Sequence, residues 1–207
     1  ILSPYLNEAG LLLGEGAPID VIDRAMTRFG FPVGPIALLD EVGLDVAQKA
    51  SGVMHAAFGE RMAPSPGIAR MVEASRLGRK AGKGFYLYHA GHKTEPDPEV
   101  YQLLGVTPLA TMDAARLEQR LVFILLNEAA LALSEGTVRS PRDGDLGAIY
   151  GIGYPPFRGG PLRYIDNLGA RETVRTLEAL AAFHGPRFIP APSLVELARS
   201  GGRFYSD

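Results

Sequence analysis

Gly34-Pro35-Ile36-Ala37-Leu38-Leu39-Asp40 is matched 126 residues later by Gly160-Pro161-Leu162-Arg163-Tyr164-Ile165-Asp166. Gly-Pro opens both stretches, and an aliphatic-Asp pair closes both. Upstream, Phe29-Gly30-Phe31-Pro32 corresponds to Ile152-Gly153-Tyr154-Pro155 at a shift of 123. Further upstream, Asn7-Glu8-Ala9 and Glu15-Gly16 correspond to Asn127-Glu128-Ala129 and Glu135-Gly136 at a shift of 120. Single dipeptide matches are common by chance, whereas five in the same order at a nearly constant shift are not. The shift changes only at Gly-rich places that can absorb insertions. The chain therefore reads as an internal duplication. Two such copies can pack as a pseudo-twofold pair, as the subunits of a symmetric dimer do.

Each copy has helical periodicity. Ile1, Leu2, Tyr5, Leu6, Ala9, Leu12 and Leu13 recur at steps of three and four, the signature of one helix face. Ile19, Ile22, Met26 and Phe29 continue after Pro18, which suits a first helical turn. Leu44 to Phe58 predicts a longer helix with Gly59 as its C-cap, and Ile68 to Ser75 a short one. In the second half, a run from Thr111 to Glu135 carries Leu117, Leu121, Ile124, Leu125, Ala129, Leu131 and Leu133. Further helices are predicted over Asp143–Tyr150, Pro161–Asn167, Arg171–Phe183 and Leu194–Ser200. Ser193-x-x-Glu196 at the last of these is a capping-box pattern. Phe85-Tyr86-Leu87-Tyr88 favours an extended conformation. The Pro- and Gly-containing stretch His89 to Pro98 reads as linker. The expected class is all-α, with a first repeat over 1–90, a linker over 91–110 and a second repeat over 111–207.

Composition narrows the functional classes. The 207 residues carry a net charge of −2, with no clustered excess of Lys and Arg of the kind that nucleic acid requires. Hydrophobic residues make up 46%, enough to bury a core. Cysteine is absent, which excludes disulfides, Cys-ligated metals and thiol nucleophiles. The longest apolar run, Leu121 to Leu126, falls well short of the about 18 residues that span a bilayer. Ile1-Leu2-Ser3-Pro4 lacks the basic and apolar regions of a signal peptide, and a cytoplasmic protein is expected. The first residue is not Met and the chain opens inside a helical pattern, so a piece of a longer protein is expected.

Few motifs carry chemistry. Gly151-Ile152-Gly153 is followed by Tyr154-Pro155-Pro156, and Pro supplies no N–H to a pyrophosphate. Gly78-Arg79-Lys80-Ala81-Gly82-Lys83-Gly84 is one residue short of a P-loop and lacks its Ser or Thr. It reads as a basic turn that packs Phe85 and Tyr86 onto the core, or as a contact for a phosphate. His89-x-x-His92 has no third ligand nearby, so no metal site is expected. His55 sits in a helical pattern, and His184 suits a helix C-terminus. Glu8 and Glu128 hold matching places, either sharing a partner or bracing their own turns through Asn7 and Asn127. Tyr154-Pro155-Pro156-Phe157-Arg158-Gly159-Gly160-Pro161 is a rigid turn, serving either to present backbone groups or as a helix-to-helix corner.

Pro4-Tyr5-Leu6-Asn7-Glu8-Ala9, together with the run from Gly30-Phe31-Pro32-Val33-Gly34-Pro35 to Val42-Gly43-Leu44-Asp45, resembles the C-terminal domain of the 3-hydroxyacyl-CoA dehydrogenases. Gly78 to Tyr86 is similar to the segment that ends that domain. Tyr150 to Asp166 resembles the second helical domain of the multifunctional fatty-acid oxidation α subunits. The resemblance implies a tandem helical domain of the 6-phosphogluconate dehydrogenase C-terminal-like type. It implies a parent enzyme of β-oxidation that oxidises (3S)-3-hydroxyacyl-CoA with NAD⁺. The nicotinamide cofactor and a His–Glu general base would belong to a preceding Rossmann domain. The family's active-site Asn lies in an Asn-Arg pair just ahead of the position of Ile1, and Gln119-Arg120 stands at the matching place in the second copy. No catalytic, cofactor-binding or metal residue is therefore expected within these residues. By resemblance, Tyr5, Gly34, Pro35, Leu38 and Leu39 are the substrate-binding candidates. They would give an apolar wall and a helix N-terminus facing the acyl-CoA thioester. The Rossmann domain and a thiolase subunit are the implied partners. Two alternatives stay open: a two-repeat 3-hydroxybutyryl-CoA dehydrogenase without a hydratase, and a stand-alone helical binding or oligomerisation module.

Overall fold

Pro35 and Pro161 each open a helix at a point where a missing N–H costs nothing, because first-turn donors have no partner inside the helix. In each copy a single glycine then ends that helix and starts the next. Gly43 does this at φ 93° and ψ 127°, and Gly169 at φ 90° and ψ 133°. These are backbone angles that favour a residue without Cβ. The computed structural model describes residues 1–110 and 112–205. Among them are eleven helices: α1 (Leu2–Gly14), α2 (Ile19–Phe29), α3 (Pro35–Val42), α4 (Leu44–Phe58), α5 (Pro66–Glu73), α6 (Glu99–Leu104), α7 (Ala114–Ser134), α8 (Pro141–Ile152), α9 (Pro161–Leu168), α10 (Ala170–His184) and α11 (Pro192–Ser200). The single sheet among the described residues is an antiparallel pair, β1 (Tyr86–His89) and β2 (His92–Pro96). The all-α class holds. None of the described helices is long and apolar enough to cross a membrane.

The chain forms two compact units. The N-terminal unit holds Tyr5–Phe29 and Val33–Glu118. The C-terminal unit holds Ile1–Pro4, Gly30–Pro32 and Gln119–Asp207. The division thus falls inside α7. The stretch 91–110, expected as a linker, holds β2 and α6 and is bonded throughout the N-terminal unit. The Asp97 N–H donates to the Phe85 carbonyl at 2.9 Å, and the Leu109 N–H to that of Gly16 at 2.9 Å. The Tyr101 hydroxyl accepts from the Ile19 N–H at 2.9 Å, which ties α6 to the start of α2. Here Pro and Gly mark the ends of short elements, and the polar composition reflects an exposed hairpin.

Tyr5, Ala9, Leu12, Leu13, Ile22, Met26 and Phe29 fill the core of the N-terminal unit. Phe85 and Tyr86 join them, so the basic turn does pack these two rings inward. In the C-terminal unit Leu121, Leu125, Leu162, Ile165, Leu177 and Leu194 form the core. Asn127 ties α7 to the start of α11. Its Nδ2 donates to the Ile189 carbonyl at 2.9 Å and its Oδ1 accepts from the Ala191 N–H at 2.8 Å. The capping box expected at Ser193 is absent. Helix α11 begins two residues earlier than expected, at Pro192, with Ala191 as its N-cap and no side-chain cap. Proline's fixed φ sets the helix start, and Asn127 orients the N-cap residue. The start expected at Thr111 for the long helix lies outside the described residues.

Candidate functional site

The N-terminal unit is organised around two buried carboxylates. Asp23, near the middle of α2, reaches the start of α3. Its Oδ1 accepts from the Ile36 N–H at 2.8 Å and its Oδ2 from the Ala37 N–H at 3.0 Å. The first turn of α3 has no other intrahelical partner for these donors, so Asp23 caps α3 from another helix. The Tyr86 hydroxyl adds a third bond to Asp23 at 2.7 Å. Asp40, near the end of α3, accepts from the Phe85 and Tyr86 N–H groups at 3.0 and 2.9 Å. The Tyr88 hydroxyl lies 3.3 Å from its Oδ2. Gly34 makes this close approach possible, since a Cβ there would stand 2.3 Å from Asp23 Oδ1.

The C-terminal unit repeats the arrangement. Asp145 of α8 accepts from the Leu162 and Arg163 N–H groups at 2.7 and 3.0 Å and from the Tyr205 hydroxyl at 2.6 Å. Asp166 accepts from the Phe204 and Tyr205 N–H groups at 2.8 and 3.0 Å. Gly160 stands where Gly34 does, with its would-be Cβ 2.3 Å from Asp145. Two Asp, a Gly-Pro start and a Phe-Tyr pair therefore recur as one device in both copies.

This geometry decides where the five candidate positions fall. Tyr5 is buried, and the Asp23 charge adds to burial in pushing its phenol well above the usual range. Gly34, Pro35 and Leu39 are buried around the cap of α3. Leu38 alone keeps partial exposure. The N-terminus of α3, expected to face a thioester, is already taken by Asp23 and is buried. Three apolar side chains stay open on α3 and α4 among exposed polar ones such as Glu41, Gln48 and Lys49: Val42, Val46 and Val53 are 45%, 48% and 69% exposed.

Burial raises the Asp23 carboxyl, against the pull of its three hydrogen bonds. Burial likewise raises Asp40, to about 6, with the N–H groups of Phe85 and Tyr86 opposing and the Asp23 charge assisting. An Asp with a raised folded-state pKa keeps its proton in the folded state after the unfolded chain has lost it. Stability is then expected to fall as pH rises from about 4 to about 6, and to level off above that. Urea midpoints measured across that range should show the decline, and Asp40→Asn should flatten it. An equal slope in both proteins would remove Asp40 as its source.

The other sequence motifs lie apart from these caps. Arg79 pairs with Glu41 at 3.0 Å and Lys80 pairs with Asp45, so the cations of the Gly-rich turn are partly committed. His89 and His92 face each other across the β1–β2 pair. Among the described residues no three metal-binding side chains cluster. His55 lies 3.7 Å from Glu60, and His184 ends α10. The Tyr154–Pro161 turn is a corner: the buried Tyr154 ring meets Phe31 edge-on at 5.7 Å, and Arg158 lies over the Phe157 and Tyr164 rings. Glu8 and Glu128 are each buried. A nicotinamide dinucleotide does not fit what is present. The described residues contain no strand–glycine turn–helix unit, and Gly153 caps α8 with its N–H on the Ala148 carbonyl.

Residues 1–88 match the family described as 3-hydroxyacyl-CoA dehydrogenase, C-terminal domain. Among solved structures, the chain is similar to 3-hydroxybutyryl-CoA dehydrogenase from Escherichia coli. The TM-score is 0.77 at 24% identity, over 96% of this chain and 58% of that one. It is also similar to the dehydrogenase part of multifunctional enzyme 1 from C. elegans. There the TM-score is 0.68 at 24% identity, over 93% of this chain and 45% of that one. The likeness to these two is one of fold.

Proposed function

We propose, from the match of residues 1–88 to the family described as 3-hydroxyacyl-CoA dehydrogenase, C-terminal domain, that the chain is the helical part of an NAD-dependent (3S)-3-hydroxyacyl-CoA dehydrogenase of fatty-acid β-oxidation. The family match over the N-terminal unit is the observation that carries this reading. NAD⁺ would accept the hydride on a separate nicotinamide-binding domain. The role of these residues is to close the acyl-CoA cleft. In this reading Leu38, with Val42 and Val46 beside it, forms the apolar wall. Tyr5, Gly34, Pro35 and Leu39 hold α3 in place behind it, through the Asp23 cap. The duplicated unit keeps the two-Asp framework and serves as scaffold. A cytoplasmic location and a thiolase subunit as further partner belong to the same reading.

The test is activity with and without a nicotinamide-binding domain. The chain alone should give no NADH from (3S)-3-hydroxybutyryl-CoA and NAD⁺. Joined to the nicotinamide-binding domain of a 3-hydroxyacyl-CoA dehydrogenase, it should restore turnover. Leu38→Asp should then lower kcat/KM by roughly tenfold or more, because a charge replaces apolar contact with the acyl chain. A folded fusion without turnover would favour an independent helical module. Unchanged kinetics in L38D would remove α3 from the cleft.

A further inference from the structure

The two copies differ in charge at one place where their frameworks superpose in sequence. In the N-terminal unit Asp45, second residue of α4, forms an ion pair with Lys80, five residues ahead of Phe85. In the C-terminal unit the corresponding positions are Arg171, second residue of α10, and Arg199, five residues ahead of Phe204. An acid–base pair has become two cations. Both line one surface depression of about 390 Å³ between α10 and α11, with Arg175 and Glu178. A second depression of about 330 Å³ adjoins it, sharing Arg171 and Ala198 and adding Arg203 and the start of α10 at Gly169.

These guanidiniums are little committed. Arg175 is paired with Glu172 at 2.7 Å. Arg171 donates from Nε to the Ala198 carbonyl at 3.0 Å, a bond that holds its fork over the groove. Among the described residues neither Arg171, Arg199 nor Arg203 has a carboxylate partner. The acids lining the groove are Glu178 and Asp166, and Asp166 is occupied by the Phe204 and Tyr205 N–H groups. Like charges in excess over the acids beside them repel each other, and an anion with oxygens for several planar forks relieves that repulsion. The first turn of α10 adds partial positive charge at the same wall.

We propose that the α10–α11 groove binds a diphosphate-bearing small molecule through Arg171, Arg199 and Arg203. Three guanidiniums present more planar forks than one phosphoryl group engages, so two linked phosphoryl groups suit the groove better than a single one. The proposal does not depend on the dehydrogenase reading. Inorganic pyrophosphate should bind even if the chain takes no part in acyl-CoA oxidation.

Calorimetric titration of the 207-residue chain with inorganic pyrophosphate, coenzyme A and pantetheine tests it. Pyrophosphate should bind and weaken with added salt, as contacts between exposed charges do. Pantetheine, which has no phosphate, should not bind. Coenzyme A binding tighter than pyrophosphate would show that its nucleotide part, with the 3′-phosphate, adds to the diphosphate contact, and equal binding would assign the site to the diphosphate alone. Arg171→Asp restores the acid–base pairing of the first copy, so it should fold and weaken binding by about a hundredfold. Arg199→Ser removes a side chain with no partner among the described residues and should weaken it by about tenfold. Arg142→Ser changes charge equally on a residue lining neither depression and should leave binding unchanged. Absence of pyrophosphate binding, equal loss in R142S and R199S, or tighter binding of a single-stranded oligonucleotide than of pyrophosphate would overturn the proposal.

Discussion

Asp23→Ala is expected to cost the N-terminal unit about 3–5 kcal/mol, the range of a buried polar network that loses its centre. The substitution strips three donors at once: the Ile36 and Ala37 N–H groups and the Tyr86 hydroxyl. Both N–H groups lie in the buried first turn of α3, where water cannot take over. Asp23→Asn should cost less, because its amide oxygen still accepts one N–H while its NH₂ opposes the other. Asp145→Ala gives the internal comparison. It removes the same three kinds of bond, but Arg163 and Tyr205 are partly open to solvent. Water can then reach two of the three groups that the carboxylate leaves, only the Leu162 N–H staying buried, and the loss should be about half as large. Urea denaturation at neutral pH would measure all three. Equal costs for D23A and D145A would show that burial does not set the price of this cap.

Arg76→Ala should be of similar size for a different reason. Arg76 is 3% exposed and ion-paired with Asp97, which is 4% exposed. Its Nε donates to the Gly84 carbonyl at 3.1 Å, and Nη1 lies 3.2 Å from Glu99. The guanidinium therefore joins the segment after α5 to the turn before β1 and to the start of α6. Removing it leaves a buried carboxylate with no counter-charge, a loss of about 3–5 kcal/mol. The double variant Arg76→Met with Asp97→Leu removes both charges and should cost less than R76A alone. It still forfeits the Asp97 bond to the Glu99 N–H. If the double variant is the less stable of the two, the ion pair itself stabilises the fold, and relief of an orphaned charge is not the main effect.

Much of this architecture was legible in the residues, and its limits are physical. The pattern predicts Leu44–Phe58 at both ends, with Gly59 as the C-cap, and the structure has the same bounds. The duplication was visible through Gly-Pro and the aliphatic-Asp pair. The pattern did not reveal what those Asp residues hold. Asp23 and Asp145 resemble any polar residue on a helix, and α2 carries Asp20 as well. Only the fold brings Asp23 to Ile36 and Tyr86, and Asp145 to Leu162 and Tyr205. The shift between copies, 122 for these Asp and 119 for Tyr86 and Tyr205, would have flagged them as a matched set. The stretch 91–110 reads as linker because an exposed two-stranded hairpin has linker composition. The α3 N-terminus reads as free to face a thioester because its cap comes from 13 residues earlier and not from the adjoining residue.

The chain crosses between the two compact units four times, since Ile1–Pro4 and Gly30–Pro32 group with the C-terminal unit. This has a consequence for synthesis. Phe31 leaves the ribosome 123 residues before Tyr154, the ring that it meets edge-on. At about 5–20 residues per second, that is roughly 6–25 seconds during which Phe31 waits for its partner. The early half can form its local helices in that interval, but the turn between α2 and α3 is completed only after α8 has been made. Contacts of such long sequence separation close late. A pause or truncation before Tyr154 would leave an aromatic, proline-flanked loop bare on a nascent chain, a natural point of engagement for chaperones.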